Sequence, residues 1–212
     1  MKEAIVLTNI TEYYVTDVIT ENLLYKAAEY GVGELLVGAS SIPAIKEKAK
    51  KLGVSLSAVI AYPSGAYNPD AKAEEINELN GLYPEIDAYY AVVSLGMYLS
   101  RGIVWLNAEL EALKTASGKH RLYIITEIAP LLKNKKAEEF VAACTNFHVE
   151  GIVVSTGFEP YHASFPTEAD VRAFRLISGN ALSLIGAGLD AKTALSTGCK
   201  KVLCGLDVEN LL

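Results

Sequence analysis

Cysteine is scarce: Cys144, Cys199 and Cys204 are the only three in 212 residues. They form no CxxC pair and leave one thiol over, which excludes a disulfide framework and suits a reducing compartment. Histidine is equally sparse, with His120, His148 and His162 scattered along the chain. A catalytic metal needs converging ligands, so no metal site is expected. Long apolar runs are missing as well. Residues 1–9 hold too short an apolar stretch for a signal peptide, and residues 88–99 are too few to cross a bilayer. A cytoplasmic location without a membrane partner follows, and Asn9-Ile10-Thr11, a glycosylation sequon in form, reads as chance. There is no excess of positive charge. With 25 acidic and 19 basic side chains the net charge is −6, the opposite of the footprint that nucleic acid requires. The lysine-rich stretches 46–51 and 133–136 fall in helical patterns and read as solvated faces.

What is present is an ample core: 51% of residues are apolar and 21% charged. Short β-branched or apolar runs alternate with helical patterns from end to end, the signature of a parallel sheet. Strands are predicted at residues 4–7, 34–37, 56–61, 86–92, 122–126, 151–155, 182–185 and 201–204. Between them, Ile103, Leu106, Leu110 and Leu113 keep one apolar helical face. Ile45, Ala49 and Leu52 do the same after Pro43, as do Ala137, Phe140, Val141 and Cys144. Asn68-Pro69 reads as an N-cap with a first-turn proline, and Thr167 with Asp170 as a second cap. Gly31, Gly53 and Gly118 stand where helices should stop. No linker or composition break divides residues 1–212, so one (β/α)₈ barrel, a TIM barrel in a single domain, is the expected α/β fold. In such a barrel the chemistry collects where strands end and loops begin.

The residues at those places are specific in their order. Tyr62-Pro63-Ser64-Gly65-Ala66 ends the third strand, Glu85-Ile86-Asp87 opens the fourth, Ile125-Thr126-Glu127 ends the fifth and Ser155-Thr156-Gly157-Phe158 the sixth. Together with the run 167–172, this series resembles the deoxyribose-phosphate aldolases, over a stretch from about Thr20 to Gly205. The resemblance implies carbon–carbon bond chemistry through a lysine imine, a protonated Schiff base that serves as electron sink. It also places the imine-forming lysine on the sixth strand, two residues before the serine, where this chain has Val153. The second lysine, which lowers the pKa of the first, belongs on the seventh strand, where Ile185 matches best. Neither amine is present. No strand carries a lysine in its interior, since Lys192 falls in a helix and Lys200-Lys201 open the eighth strand at the wrong end.

Asp87 keeps the position that supports proton transfer in the family, and is read either as that group or as a buried carboxylate with local partners. Alternation puts Asp87 and Tyr89 on one side, and Val153 and Ser155 likewise. If that side is the lumen, Tyr89 and Val153 fill the volume of the missing lysine. Glu127 and Tyr62 are further acid–base candidates beside Asp87. The resemblance further implies phosphate binding on glycine turns after strands six to eight, here Gly157, Gly186, Gly188 and Gly205, with Ser155 and Thr156 beside them. Against it, Asp190 and Asp207 stand at the last two helix starts, where capping carboxylates occupy the donors that phosphate would use. The expected partner is a small molecule, and self-association into a homo-oligomer is compatible with the chain. No cofactor is expected. Two readings follow: a lyase of the aldolase family with altered chemistry on a small aldehyde or sugar-phosphate-like substrate, or a catalytically silent barrel that binds a metabolite or protein.

Overall fold

The computed structural model describes residues 2–12 and 14–205. Eight parallel strands run β1 (Ile5–Thr8), β2 (Glu34–Val37), β3 (Ser55–Ile60), β4 (Ala88–Val92), β5 (Arg121–Ile125), β6 (Gly151–Val153), β7 (Ser183–Gly186) and β8 (Lys201–Cys204). Each pairs with its successor, and β8 pairs with β1 through Ile5 opposite Val202, which closes the barrel. The helices between them are α1 (Asp17–Tyr30), α2 (Ile42–Leu52), α3 (Pro69–Leu82), α4 (Leu95–Arg101), α5 (Ile103–Ser117), α6 (Ile128–Lys133), α7 (Ala137–Asn146), α8 (Glu168–Ser178) and α9 (Ala191–Ser196). The β4–β5 and β5–β6 connections each hold two helices. No helix among the described residues is long and apolar enough to cross a membrane.

The helix boundaries follow local chemistry. Asn68 accepts a hydrogen bond from the Ala71 N–H at the start of α3, with Pro69 in the first turn. Gly31 and Gly53 close α1 and α2 in the left-handed conformation, at φ of 67° and 70°. Thr167 and Asp170 form a reciprocal capping box at α8. Replacing Thr167 by alanine is expected to lower stability by about 1 kcal/mol. An unchanged urea midpoint for that variant would show the box to be idle. One expected apolar position was misassigned: Leu52, in the last turn of α2, is 40% exposed.

Strand alternation sorts the barrel into two layers. Ile5, Leu35, Leu56, Tyr89, Ala91, Leu122, Ile152 and Leu184 pack outward with helix residues such as Leu23, Ile45, Leu110 and Phe140. The inward set, Val6, Leu36, Val59, Ala88, Tyr90, Val92, Tyr123, Ile125, Val153, Ile185 and Ala187, forms a second apolar cluster without any helix residue. It is the lumen, and it is filled by side chains as in other barrels of this architecture.

Below that apolar layer, toward the strand N-termini, the lumen turns polar. Glu34 accepts from the Ser57 and Tyr90 hydroxyls at 2.8 and 2.9 Å and pairs with Lys201 at 2.8 Å. Burial alone would raise the Glu34 carboxyl, but Lys201, Ser57 and Tyr90 together hold it below its ordinary value. Tyr90 stacks on Tyr123 with ring centroids 4.6 Å apart. These polar groups satisfy one another, as buried polar groups must.

Candidate functional site at the C-terminal mouth

Ala61, just after β3, takes a positive φ of 55°, and its N–H donates to Glu75 Oε2 on α3 at 3.2 Å. Burial raises the Glu75 carboxyl above its ordinary pKa, against the lowering effect of that N–H and of Lys72. The turn carries Tyr62 across the mouth, where its hydroxyl donates to the Thr156 carbonyl beyond β6 at 3.1 Å. The Tyr62 ring also meets Phe158 edge to face, with centroids 6.1 Å apart. Burial first, then the charges of Glu127 and Tyr161, push the phenol well above its usual pKa, so Tyr62 stays protonated at neutral pH.

Glu127 follows β5 and is buried. Its Oε1 accepts from the Thr156 N–H at 2.8 Å and from the Thr156 hydroxyl at 2.6 Å. Thus Tyr62, Glu127 and Thr156 are brought together at one mouth, from strands three, five and six. Ser155 is buried beside them, its hydroxyl accepting from the Gly157 N–H at 3.1 Å.

Two hollows open here. The larger, about 480 Å³, lies over the ends of β1–β3 and is lined by Asn9, Gly38, Ser40, Tyr62, Tyr67 and Glu75 among others. The smaller, about 250 Å³, lies over the ends of β4–β6, with Ser64, Thr126, Glu127, Thr156 and Tyr161 in its wall. Tyr62 lines the first and bonds to Thr156 in the wall of the second. Among the described residues neither lining holds a lysine or an arginine. An anion would meet the Glu75 and Glu127 carboxylates there, while Lys72, the lysine that acts on Glu75, is buried in an ion pair with Glu109.

Several sequence expectations need correction. Asp87 does not reach this mouth. It precedes β4 at the opposite, N-terminal end, 43% exposed at its side chain, and pairs with Arg121. The inward run of β4 starts at Ala88, so alternation sends Tyr90, not Tyr89, into the lumen. Tyr89 faces the helices, with its hydroxyl on Asn80 Oδ1 of α3 at 2.8 Å and its ring edge-on to His120. It cannot touch a ligand at the mouth.

Gly186 also faces outward, where a Cβ would meet Ala194 of α9 at 2.5 Å, so this glycine serves helix packing. Gly157 and Gly188, both left-handed at φ of 66° and 70°, pack their turns against each other. The Phe165 ring and the Ser155 hydroxyl lie within 3.0 Å of where a Gly188 Cβ would stand, which leaves that turn covered. Asp190 caps α9, accepting from the Thr193 N–H at 3.0 Å, and this hydrogen bonding holds its carboxyl below the usual value. Gly205 follows β8 directly, and Asp207 lies outside the described residues.

Val153 and Ile185 are both fully buried lumenal neighbours, paired in register across β6 and β7. All three cysteines are buried and none is in a disulfide. Among the described residues no group of three or more His, Cys, Asp or Glu is placed to hold a metal. Sequence reasoning missed Thr126 and Asn9, whose side chains each keep a buried oxygen without a partner at this mouth. Only their places at strand ends could have marked them.

No family model matches the chain. A deoxyribose-phosphate aldolase of Streptococcus pneumoniae is 29% identical over 192 residues, 86% of this chain and 82% of the relative. One of Mycobacterium tuberculosis is 31% identical over 160 residues, 74% of this chain and 66% of the relative. Among solved structures, the deoxyribose phosphate aldolase of Aeropyrum pernix, described as having a unique tetrameric structure, superposes with a TM-score of 0.81 at 21% identity. That likeness covers 96% of this chain and 86% of the other.

Proposed function

The chain belongs to the deoxyribose-phosphate aldolase family, and on that premise we propose that it is a divergent member that binds a small hydroxylated or carbonyl metabolite at the C-terminal mouth and performs no imine chemistry. One observation carries the reading. Val153 and Ile185, which the strand motifs match to the family's two amines, are paired in register and share one buried apolar cluster with Tyr90, Val92 and Ile125. Neither supplies a nucleophile. An imine mechanism loses its whole pathway with its amine, not a fraction of its rate. Lys201, on β8, is held by Glu34 at the far end of the barrel and cannot stand in.

The mouth nevertheless keeps the features of a ligand site. It is concave, it gathers hydroxyls and carboxylates from several strand ends, and it lacks cations. A second reading, an imine-free lyase, is favoured by Glu127, whose Oε2 has no partner within the protein and which stands at the same mouth as the neutral Tyr62 phenol.

Incubation with 2-deoxyribose 5-phosphate tests both. The expected result is no acetaldehyde above background and, after borohydride, an intact mass without adduct. Acetaldehyde release without adduct that disappears in Glu127→Gln would move the conclusion to the second reading. A trapped adduct would overturn the imine-free assignment altogether.

A further inference from the structure

Two neighbouring residues in the wall of the smaller hollow each carry a buried side-chain oxygen that the protein leaves unused. Glu127 Oε1 is saturated by the Thr156 N–H and hydroxyl, but Oε2 has no partner although the side chain is only 9% exposed. The adjacent Thr126, 2% exposed, likewise keeps Oγ1 unpartnered. Both residues line the same cavity of about 250 Å³. An unsatisfied buried polar atom is costly, and two beside one cavity point to a group that satisfies both.

We propose that this hollow is a subsite for a neutral, hydroxyl-bearing compound: a ligand hydroxyl donates to Glu127 Oε2 and accepts from the Thr126 hydroxyl. A carboxylate offers only acceptance and a threonine offers donation, so a single alcohol matches the pair and an ether or a phosphate oxygen does not. Ser64, Thr156, Tyr161 and Ser164 supply further hydroxyls on the wall, and Val92, Val93, Leu95 and Pro63 an apolar side for a short carbon chain. With no cation in the lining, a phosphate ester meets the Glu127 charge unopposed. Small unphosphorylated polyols are therefore the ligand class. The 3₁₀ segment Glu159–Ser164 forms one side through Tyr161 and Ser164.

This inference rests on the mouth being a ligand site and specifies one half of it. The test is backbone amide NMR of the whole chain titrated with glycerol, with erythritol, and with glycerol 3-phosphate. The two neutral polyols should shift the amides of Thr126, Glu127 and Thr156, and glycerol 3-phosphate should bind at least tenfold more weakly. Thr126→Val and Glu127→Gln should each weaken polyol binding about tenfold or more, with the dispersed amide spectrum of the folded protein retained. Unchanged polyol affinity in both variants would overturn the subsite. So would equal binding of the phosphate ester. Shifts confined to Tyr67, Ala71 and Glu75 would also overturn it while leaving the mouth as a ligand site, whereas no shift at either hollow would remove both readings.

Discussion

Replacing Lys72 by methionine, or Glu109 by glutamine, is expected to destabilise the protein by about 3–5 kcal/mol. The two side chains form an ion pair between α3 and α5 and are both fully buried. Lys72 Nζ also donates to the Val92 carbonyl at 2.7 Å, and Glu109 accepts from the Ser94 N–H at 3.1 Å. The pair thus ties two helices to the C-terminal end of β4, directly behind the smaller hollow. Burial pushes the lysine below and the glutamate above its ordinary pKa, because desolvation outweighs the attraction between them. Removing one partner strands the other in a dry interior, whereas removing both removes the problem. The double variant Lys72→Met with Glu109→Leu should therefore recover most of the loss. Urea unfolding at neutral pH measures it, and single variants that cost under about 1 kcal/mol would show that water reaches the pair.

This pair also shows what the sequence conceals. The alternation of strands and helices, the caps at Asn68 and Thr167 and the closure into a barrel depend on local patterns, and they were legible. Lys72, Ile76 and Leu79 share one face of α3, and Glu109 sits among Leu106, Leu110 and Leu113 on α5. That periodicity could have marked both charges as inward, but nothing local says that they meet. The Glu34–Lys201 pair joins residues 167 apart in sequence and is equally hidden.

The site was harder because it depends on strand phase. Asp87 precedes a strand whose first residues, Ala88-Tyr89-Tyr90, carry no polar–apolar alternation, so one residue of phase decided which tyrosine entered the lumen. For β7 the lumenal cluster fixes the phase: Ile185 faces inward and Leu184 outward. Glu127 and Tyr62 stand out in the sequence because carboxylates and phenols at strand ends are suspect by type, and both lie at the C-terminal mouth. Thr126 was missed because a threonine in a β-rich run reads as strand filler until its hydroxyl proves to be unpaired.

Installing an amine at Val153, the position proposed above for the family's imine-forming lysine, should not restore chemistry, and it should damage the fold in a pH-dependent way. Val153 is fully buried, with Ile185 opposite it in register and Tyr90, Val92 and Ile125 in the same cluster. In Val153→Lys the charged form loses its hydration there, so the folded-state pKa should fall by about 3 units from an unfolded value near 10.4. The sign follows from linkage. Between the two pKa values the unfolded chain holds a proton that the folded chain does not, so stability rises with pH across that window. Above about pH 10.4 the charge penalty vanishes, and below the folded pKa it levels off at about 4 kcal/mol. Val153→Met is the control, since it adds comparable length without charge and should cost about 1–3 kcal/mol of overpacking at every pH. Urea unfolding of both variants from pH 6 to 10.5 separates the two effects. A difference that stays flat across that range would mean that the new ammonium reaches water through the mouth. The lumen would then be open at its C-terminal end, and the hydrogen bond from Tyr62 to Thr156 would not be a lasting closure over it.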